Sequence, residues 1–291
     1  MRININQIKE MKEKGEKVTM LTAYDYATAK VVDEVGIPLI LVGDSLGMVV
    51  LGYESTIPVT MEEMLHHTKA VVRGTKQAMI IGDMPFMTYH VSVEDALRNA
   101  ARFIQEGGAQ AVKLEGGVTV AEKVRRIVEC GIPVMGHIGL TPQSIHQFGG
   151  FKAQGKTPEA AARLIKDARA LEEAGAFAIV LETVPAPLAT LISKEISIPT
   201  IGIGAGIGCD GQVQVINDLL GSFSGFVPKH AKQYAKLADI MSNAIAAYYQ
   251  EVKAGQFPTD AQSLPMDESL LAGLIKKAPP QQANHEKLPP G

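Results

Sequence analysis

Two aspartates, two glutamates and a histidine each end a short apolar run of this chain. The runs are Leu39-Ile-Leu-Val-Gly-Asp44, Met79-Ile-Ile-Gly-Asp83, Ala111-Val-Lys-Leu-Glu115, Pro133-Val-Met-Gly-His137 and Ala178-Ile-Val-Leu-Glu182. Carboxylates crowded together repel one another unless a cation neutralises them. Hard oxygen donors of this kind suit Mg²⁺, which keeps several waters and takes only one or two carboxylates. Asp44 and Asp83 each follow a glycine, and Glu115 is a candidate third ligand, direct or through water. Glu182 ends a fully apolar run. Desolvation there would raise its pKa and make it a candidate general base, with a further metal ligand as the alternative. Lys113 lies two residues before Glu115, so the two share one side of a strand. Facing inward, Lys113 could bind a substrate carboxylate. An outward lysine fits poorly, because parallel strands are normally apolar on both faces. His137 could polarise a carbonyl oxygen or serve a structural role. Taken singly, each acid reads more readily as a helix cap or a polar loop residue, and only the set on one barrel rim reverses that.

The elements around these residues give them a common place. Strand-like runs occur at Val18–Ala23, at the five runs above, at Thr200–Gly204 and at Val213–Asn217. Between them lie helix-period segments, among them Tyr26–Val35, about 60–73, 92–105, 119–128 and 158–174. Thr60 with Glu63, Ser92 with Asp95 and Thr119 with Glu122 have the spacing of capping boxes, and Pro158 suits a first helical position. Residues 3–14 read as a lead-in helix, a short helix falls near 187–195, and residues 231–253 read as one long amphipathic helix. Eight strands alternating with helices imply βαβ units and a parallel sheet, and their number is that of a (β/α)8 TIM barrel. A doubly wound open sheet is the alternative. In a barrel all strand ends open on one face, where active sites are built.

Composition narrows the remaining choices. The 291 residues are 46% hydrophobic, and 28 basic against 31 acidic residues give a net charge of −3. No basic block suggests nucleic acid. Two cysteines, Cys130 and Cys209, argue against a disulfide framework and for a reducing compartment. The polar N-terminus has no signal-peptide core, and no stretch reaches the roughly 18 apolar residues of a membrane span. A cytoplasmic protein without a membrane partner is expected. Gly206-x-Gly208-x-x-Gly211 formally matches a dinucleotide fingerprint, but a strand-like run follows where a helix is required. There is no His-Glu-x-x-His zinc pattern and no P-loop. Residues 1–255 read as one barrel domain. Residues 256–291 read as a C-terminal extension whose Pro-rich end, Lys276 to Gly291, is partly disordered or a strap.

Longer motifs add a resemblance. Thr22-Ala-Tyr-Asp25, Gly43-Asp-Ser-Leu-Gly-Met-Val-Val-Leu-Gly52, Val112-Lys-Leu-Glu-Gly116, Gly136-His-Ile-Gly-Leu-Thr-Pro-Gln143 and Ile201-Gly-Ile-Gly-Ala-Gly206 closely resemble the ketopantoate hydroxymethyltransferase family, from about residue 3 to residue 255. The resemblance implies a (β/α)8 barrel, a homodecamer and small-molecule substrates. It implies transfer of a one-carbon unit from 5,10-methylenetetrahydrofolate to 3-methyl-2-oxobutanoate, giving 2-dehydropantoate in pantothenate biosynthesis. Carried over by position, Asp44, Asp83 and Glu115 would surround one Mg²⁺ per subunit. Ser45 and Lys113 would hold the oxo acid with His137 nearby, Asp44 and Asp83 would also face it, and Glu182 would be the base. Asn217 stands where the family commonly carries His. Two other readings remain open. One is a Mg²⁺-dependent 2-oxo acid lyase or mutase on a barrel, whose frequent Lys-x-Cys-Gly-His stretch is absent here. The other is a non-catalytic small-molecule binder.

Overall fold

The computed structural model describes residues 2–150, 152–222, 227–271 and 274. These form two compact units, 1–238 and 239–291. In the first unit eight parallel strands close into a barrel in the order of the sequence. They are β1 (Val18–Thr22), β2 (Leu39–Val42), β3 (Met79–Asp83), β4 (Ala111–Glu115), β5 (Val134–Gly139), β6 (Ala178–Glu182), β7 (Thr200–Ile203) and β8 (Gly211–Gln214). The helices are α1 (Ile5–Glu13), α2 (Tyr26–Val35), α3 (Leu46–Val49), α4 (Met61–Gly74), α5 (Val93–Gln105), α6 (Ala121–Glu129), α7 (Ile145–Phe148), α8 (Pro158–Glu173), α9 (Ala186–Glu195), α10 (Ile216–Leu220) and α11 (Leu237–Lys253). The TIM-barrel expectation therefore holds and the open sheet does not.

Alternation along each strand sorts the core into two. Met20, Leu41, Ile81, Met135, Val180 and Val213 point into the barrel, where Ile8 of α1 packs with them. Ile40, Ile80, Val112, Leu114 and Ile179 face the helices. At Gly82 the outward position must be bare: a Cβ there would lie 2.2 Å from the ring of Phe103 on α5. The glycine before Asp83 thus lets a helix close on the strand while Asp83 points inward.

The start of the chain is fastened to one end of the barrel. Lys12 donates to the carbonyls of Ser193, Ile196 and Ile198, each at 2.9 Å, and pairs with Asp210 at 3.0 Å. These include carbonyls at the C-terminus of α9, where a cation is favoured. Buried Asp33 on α2 accepts the N–H groups of Lys76, Gln77 and Ala78, fixing the turn into β3. Those bonds outweigh the cost of burial and hold its carboxyl below the usual range.

Several sequence expectations change. Thr60 and Glu63 make the complete capping box. Ser92 caps α5 by accepting the Asp95 N–H. Thr119 and Glu122 make no box, because residues 118–120 form a 3₁₀ turn and Val120, without a side-chain bond, precedes α6. Strand eight is Gly211–Gln214 rather than Val213–Asn217, and Asn217 lies in α10. Its Val213 points inward, while Gln212 turns back to bond the Gly206 carbonyl at 2.9 Å. No helix intervenes between β7 and β8. The glycine loop lies flat on α9 instead, and a Cβ on Gly208 would fall 1.9 Å from Thr190 Oγ1. These glycines serve close packing, which removes the nucleotide reading.

The long helix α11 begins at Leu237, later than the expected 231, and none of its residues is buried. The tail from Lys276 to Gly291 lies outside the described residues. Among the described residues no helix is long and apolar enough to cross a membrane.

Candidate active site

Strand alternation and register bring the strand-end residues together. Asp83 is aligned with Lys113, Glu115 with His137, and Gly139 with Glu182 across neighbouring strands. Asp44 lies beyond the end of β2, in the turn that starts α3. Its backbone N–H donates to Asp83 Oδ2 at 3.1 Å. Lys113 points inward as expected, with its Nζ 2.7 Å from Asp83 Oδ1 and 3.2 Å from His137 Nδ1. The same Nδ1 lies 3.4 Å from Glu115 Oε1, and Nε2 lies 3.3 Å from Glu182 Oε2. Asp44, Asp83, Lys113, Glu115 and His137 are all buried, while Glu182 keeps 15% of its side chain exposed. The expected desolvation of Glu182 is therefore partial. Ser45 is half-buried and shares a 2.9 Å hydrogen bond with Tyr24 Oη.

The charges do not balance. Four carboxylates face two potential cations. Burial by itself would lower Lys113, but Asp83, Glu115 and Asp44 outweigh it and its pKa rises above the ordinary value. Burial and Lys113 depress His137, yet Glu115 and Glu182 bring it to about 9. With both cations charged near neutral pH, two negative charges remain. The strain falls on Asp44, which burial, Asp83 and Glu115 push well above the carboxylate range. Burial likewise raises Asp83, although Lys113 opposes it. Glu115 ends below its ordinary value, because His137, Lys113 and the Gln143 N–H outweigh its burial. A proton or a cation must therefore sit at the Asp44 and Asp83 end of the cluster.

Within the cluster, the buried atoms Asp83 Oδ1 and His137 Nε2 have no aligned hydrogen bond. The first is held in the ion pair with Lys113 at 2.7 Å. The second is open to a ligand oxygen. Among the described residues, no three His, Cys, Asp or Glu side chains form a ready-made metal cage. Mg²⁺ takes few protein ligands and keeps several waters. Asp44 and Asp83 fit such an ion, whereas Glu115 is engaged with His137 and Gln143.

Sequence reasoning missed Gln143 and Tyr89. Gln143 is 4% exposed and sits in the short turn Pro142–Ser144. It touches Asp44, Glu115, Met84 and Tyr89. The sequence showed only a glutamine in a long loop, six residues beyond His137. Its one signal was membership of the motif that starts at Gly136. Beside the cluster lies a cavity of about 350 Å³, whose lining includes Tyr89, His90, Glu115, Thr119, Lys123 and Gln143.

A closed parallel barrel with buried acids, a lysine and a histidine at the carboxyl ends of its strands defines a (β/α)8-barrel enzyme. Comparisons with known proteins fix the family. The ketopantoate hydroxymethyltransferase profile matches residues 2–260. A 3-methyl-2-oxobutanoate hydroxymethyltransferase of Dehalococcoides mccartyi is 67% identical over 276 residues, covering 95% of this chain and 98% of its own. One from Syntrophus aciditrophicus is 62% identical, covering 90% and 96%. The chain belongs to the ketopantoate hydroxymethyltransferase family and is a hydroxymethyl transferase. Among solved structures, phosphonopyruvate hydrolase aligns with a TM-score of 0.59 at 13% identity, covering 95% of this chain and 96% of its own. For 2,3-dimethylmalate lyase, of the PEP mutase/isocitrate lyase superfamily, the values are 0.55, 16%, 95% and 96%. At such identities the likeness is one of fold.

Proposed function

We propose that the rim cluster takes 3-methyl-2-oxobutanoate and adds to its C3 the one-carbon unit of 5,10-methylenetetrahydrofolate, giving 2-dehydropantoate. The observation that carries this reading is the uncompensated negative charge beside an open histidine nitrogen. Asp44 and Asp83 would hold one Mg²⁺ per subunit, with Glu115 reaching it through water. When bound, the metal supplies Lewis-acid polarisation of the oxo acid's carbonyl. Lys113, with Ser45, pairs with the carboxylate of the acid. His137 Nε2 donates to the keto oxygen as negative charge develops there, a contact that strengthens toward the transition state. Glu182, partly exposed at the end of β6, removes the proton from C3. One C–N bond of the donor opens as C3 bonds to its methylene carbon; water then displaces the second nitrogen, supplying the hydroxyl oxygen and releasing tetrahydrofolate, whose nitrogens take up the protons.

The same reading puts the enzyme in the cytoplasm, in pantothenate biosynthesis, and in a homo-oligomer, a decamer by family resemblance. Exposed Ile240, Ile245, Tyr248 and Tyr249 on α11 are the kind of surface a second copy would cover.

The test is C3-proton exchange of 3-methyl-2-oxobutanoate in D₂O, followed by NMR with and without Mg²⁺. Wild type should exchange only with the metal, and Glu182→Gln should slow exchange by about 10²–10⁴-fold. Metal-independent exchange, or a Glu182→Gln rate equal to wild type, removes the assigned roles. Turnover of other oxo acids without the folate would favour the lyase alternative. Binding without any turnover would favour a non-catalytic protein.

A further inference from the structure

The side chain of Gln143 uses all its hydrogen-bonding groups on its surroundings. Nε2 donates to Asp44 Oδ2 at 2.8 Å and to the Met84 carbonyl at 3.0 Å. Oε1 accepts from the Tyr89 hydroxyl at 2.7 Å. Its backbone N–H donates to Glu115 Oε2 at 3.0 Å. The Tyr89 oxygen in turn accepts from the Glu115 N–H at 3.1 Å.

An amide offers two donors on one atom and an acceptor on the other. The Met84 carbonyl can only accept, as can Asp44 when ionised to hold a cation, and a flipped amide would face each of them with an oxygen. The tyrosine hydroxyl, already accepting from Glu115, has its one proton left for Oε1. The orientation of Gln143 is therefore set by its partners. Gln143, itself beyond β5, joins the segments following β2 and β3 to the last residue of β4, and it engages only one oxygen of each carboxylate.

We infer that Gln143 is a positioning residue that aims the Asp44 and Glu115 carboxylates at a divalent cation, with Tyr89 locking its amide. The inference rests on the Mg²⁺ reading above. Groups that orient metal-binding carboxylates from behind typically carry about 10- to 100-fold in metal affinity. Tyr89 acts through the amide, so its effect should disappear once the amide is gone.

The test measures Mn²⁺ binding by EPR, without turnover, in wild type, Gln143→Met, Tyr89→Phe and the double variant, with folding checked by circular dichroism. Gln143→Met should weaken binding by about 10- to 100-fold. Tyr89→Phe should weaken it several-fold alone and add nothing in the Gln143→Met background. The inference is overturned if folded Gln143→Met stays within about twofold of wild type, or if the Tyr89→Phe effect persists undiminished in the double variant. Should Gln143→Met fail to fold, Tyr89→Phe decides, and unchanged affinity there is equally fatal. Wild type that binds no Mn²⁺ sinks the metal reading first and this inference with it. Normal wild-type binding with unaffected variants sinks the inference alone.

Discussion

Replacing Lys113 by Met would leave the rim acids without their innermost cation while keeping the volume of the side chain. Lys113 Nζ lies 2.7 Å from Asp83 Oδ1 and both groups are buried. At an effective dielectric of about 20 the attraction is about 6 kcal/mol. Desolvation of both ions offsets part of it, and breaking a buried pair typically costs about 3–5 kcal/mol. A second route limits that cost, because Asp83 can take a proton. Holding a carboxyl of ordinary pKa about 3.9 in its neutral form costs about 1.4 kcal/mol per pH unit above that value. At pH 5 this is roughly 1.5 kcal/mol, and at pH 8 it is roughly 5.6 kcal/mol, so the broken pair then becomes the cheaper state. The variant should therefore lose about 1.5 kcal/mol at pH 5 and about 3–5 kcal/mol at pH 8. The sign follows from linkage. Without Lys113 the folded-state pKa of Asp83 is raised further, so stability is retained at low pH and lost as pH rises through that raised value. In wild type the Lys113 pKa is raised as well, so its own contribution is steady through this window and fades only in alkali. Urea unfolding in EDTA at both pH values measures the difference. A penalty below about 1 kcal/mol at pH 8, or one larger at pH 5 than at pH 8, would refute the charge argument.

Other residues carry separate expectations. Asp33→Ala orphans three backbone N–H groups at the turn into β3 and should cost about 3 kcal/mol by urea unfolding, with Asp33→Asn costing less. Because the folded pKa of Asp33 is depressed, its contribution is complete above the ordinary carboxylate range and vanishes as pH falls through the folded value. The two proteins should therefore converge in stability in strong acid, and a gap that widens there would contradict the assignment. Gly208→Ala places a methyl against Thr190 and should lower stability by about 1–3 kcal/mol, with partial rescue by Thr190→Ala. Equal melting temperatures for wild type and Gly208→Ala would mean that the loop does not need its close approach to α9.

The barrel was legible because apolar runs of strand length recur between helix-period segments, and five of those runs carry their own chemistry at the end. Where that regularity stops, hydrophobicity no longer marks the elements. Val213 to Asn217 looked more strand-like than Gly211 to Gln214, because the sequence shows hydrophobicity but not which neighbour a residue pairs with. Gly211 belongs to the strand through pairing with Val18 and Ile201. Thr119 and Glu122 had capping spacing, yet a 3₁₀ turn occupies the place of the first helical turn. Gln143 was invisible as a site residue for another reason. Its depth depends on a loop folding inward across the rim, and nothing in local periodicity encodes loop depth.

The alternation that builds the core also aims the chemistry. Ile81, Ala111, Met135 and Val180 fill the barrel interior, and two residues further along each strand come Asp83, Lys113, His137 and Glu182. A one-residue slip of any of these strands would turn both sets to the helix side together. Burial of the apolar layer thus fixes the direction of groups that would otherwise repel one another. Lys113 is the exception that makes the arrangement tolerable. It sits two residues before Glu115 and level with Asp83, so it meets the acids from within the barrel. Asp44 and Asp83 at the rim carry the negative charge that Lys113 and His137 leave unbalanced.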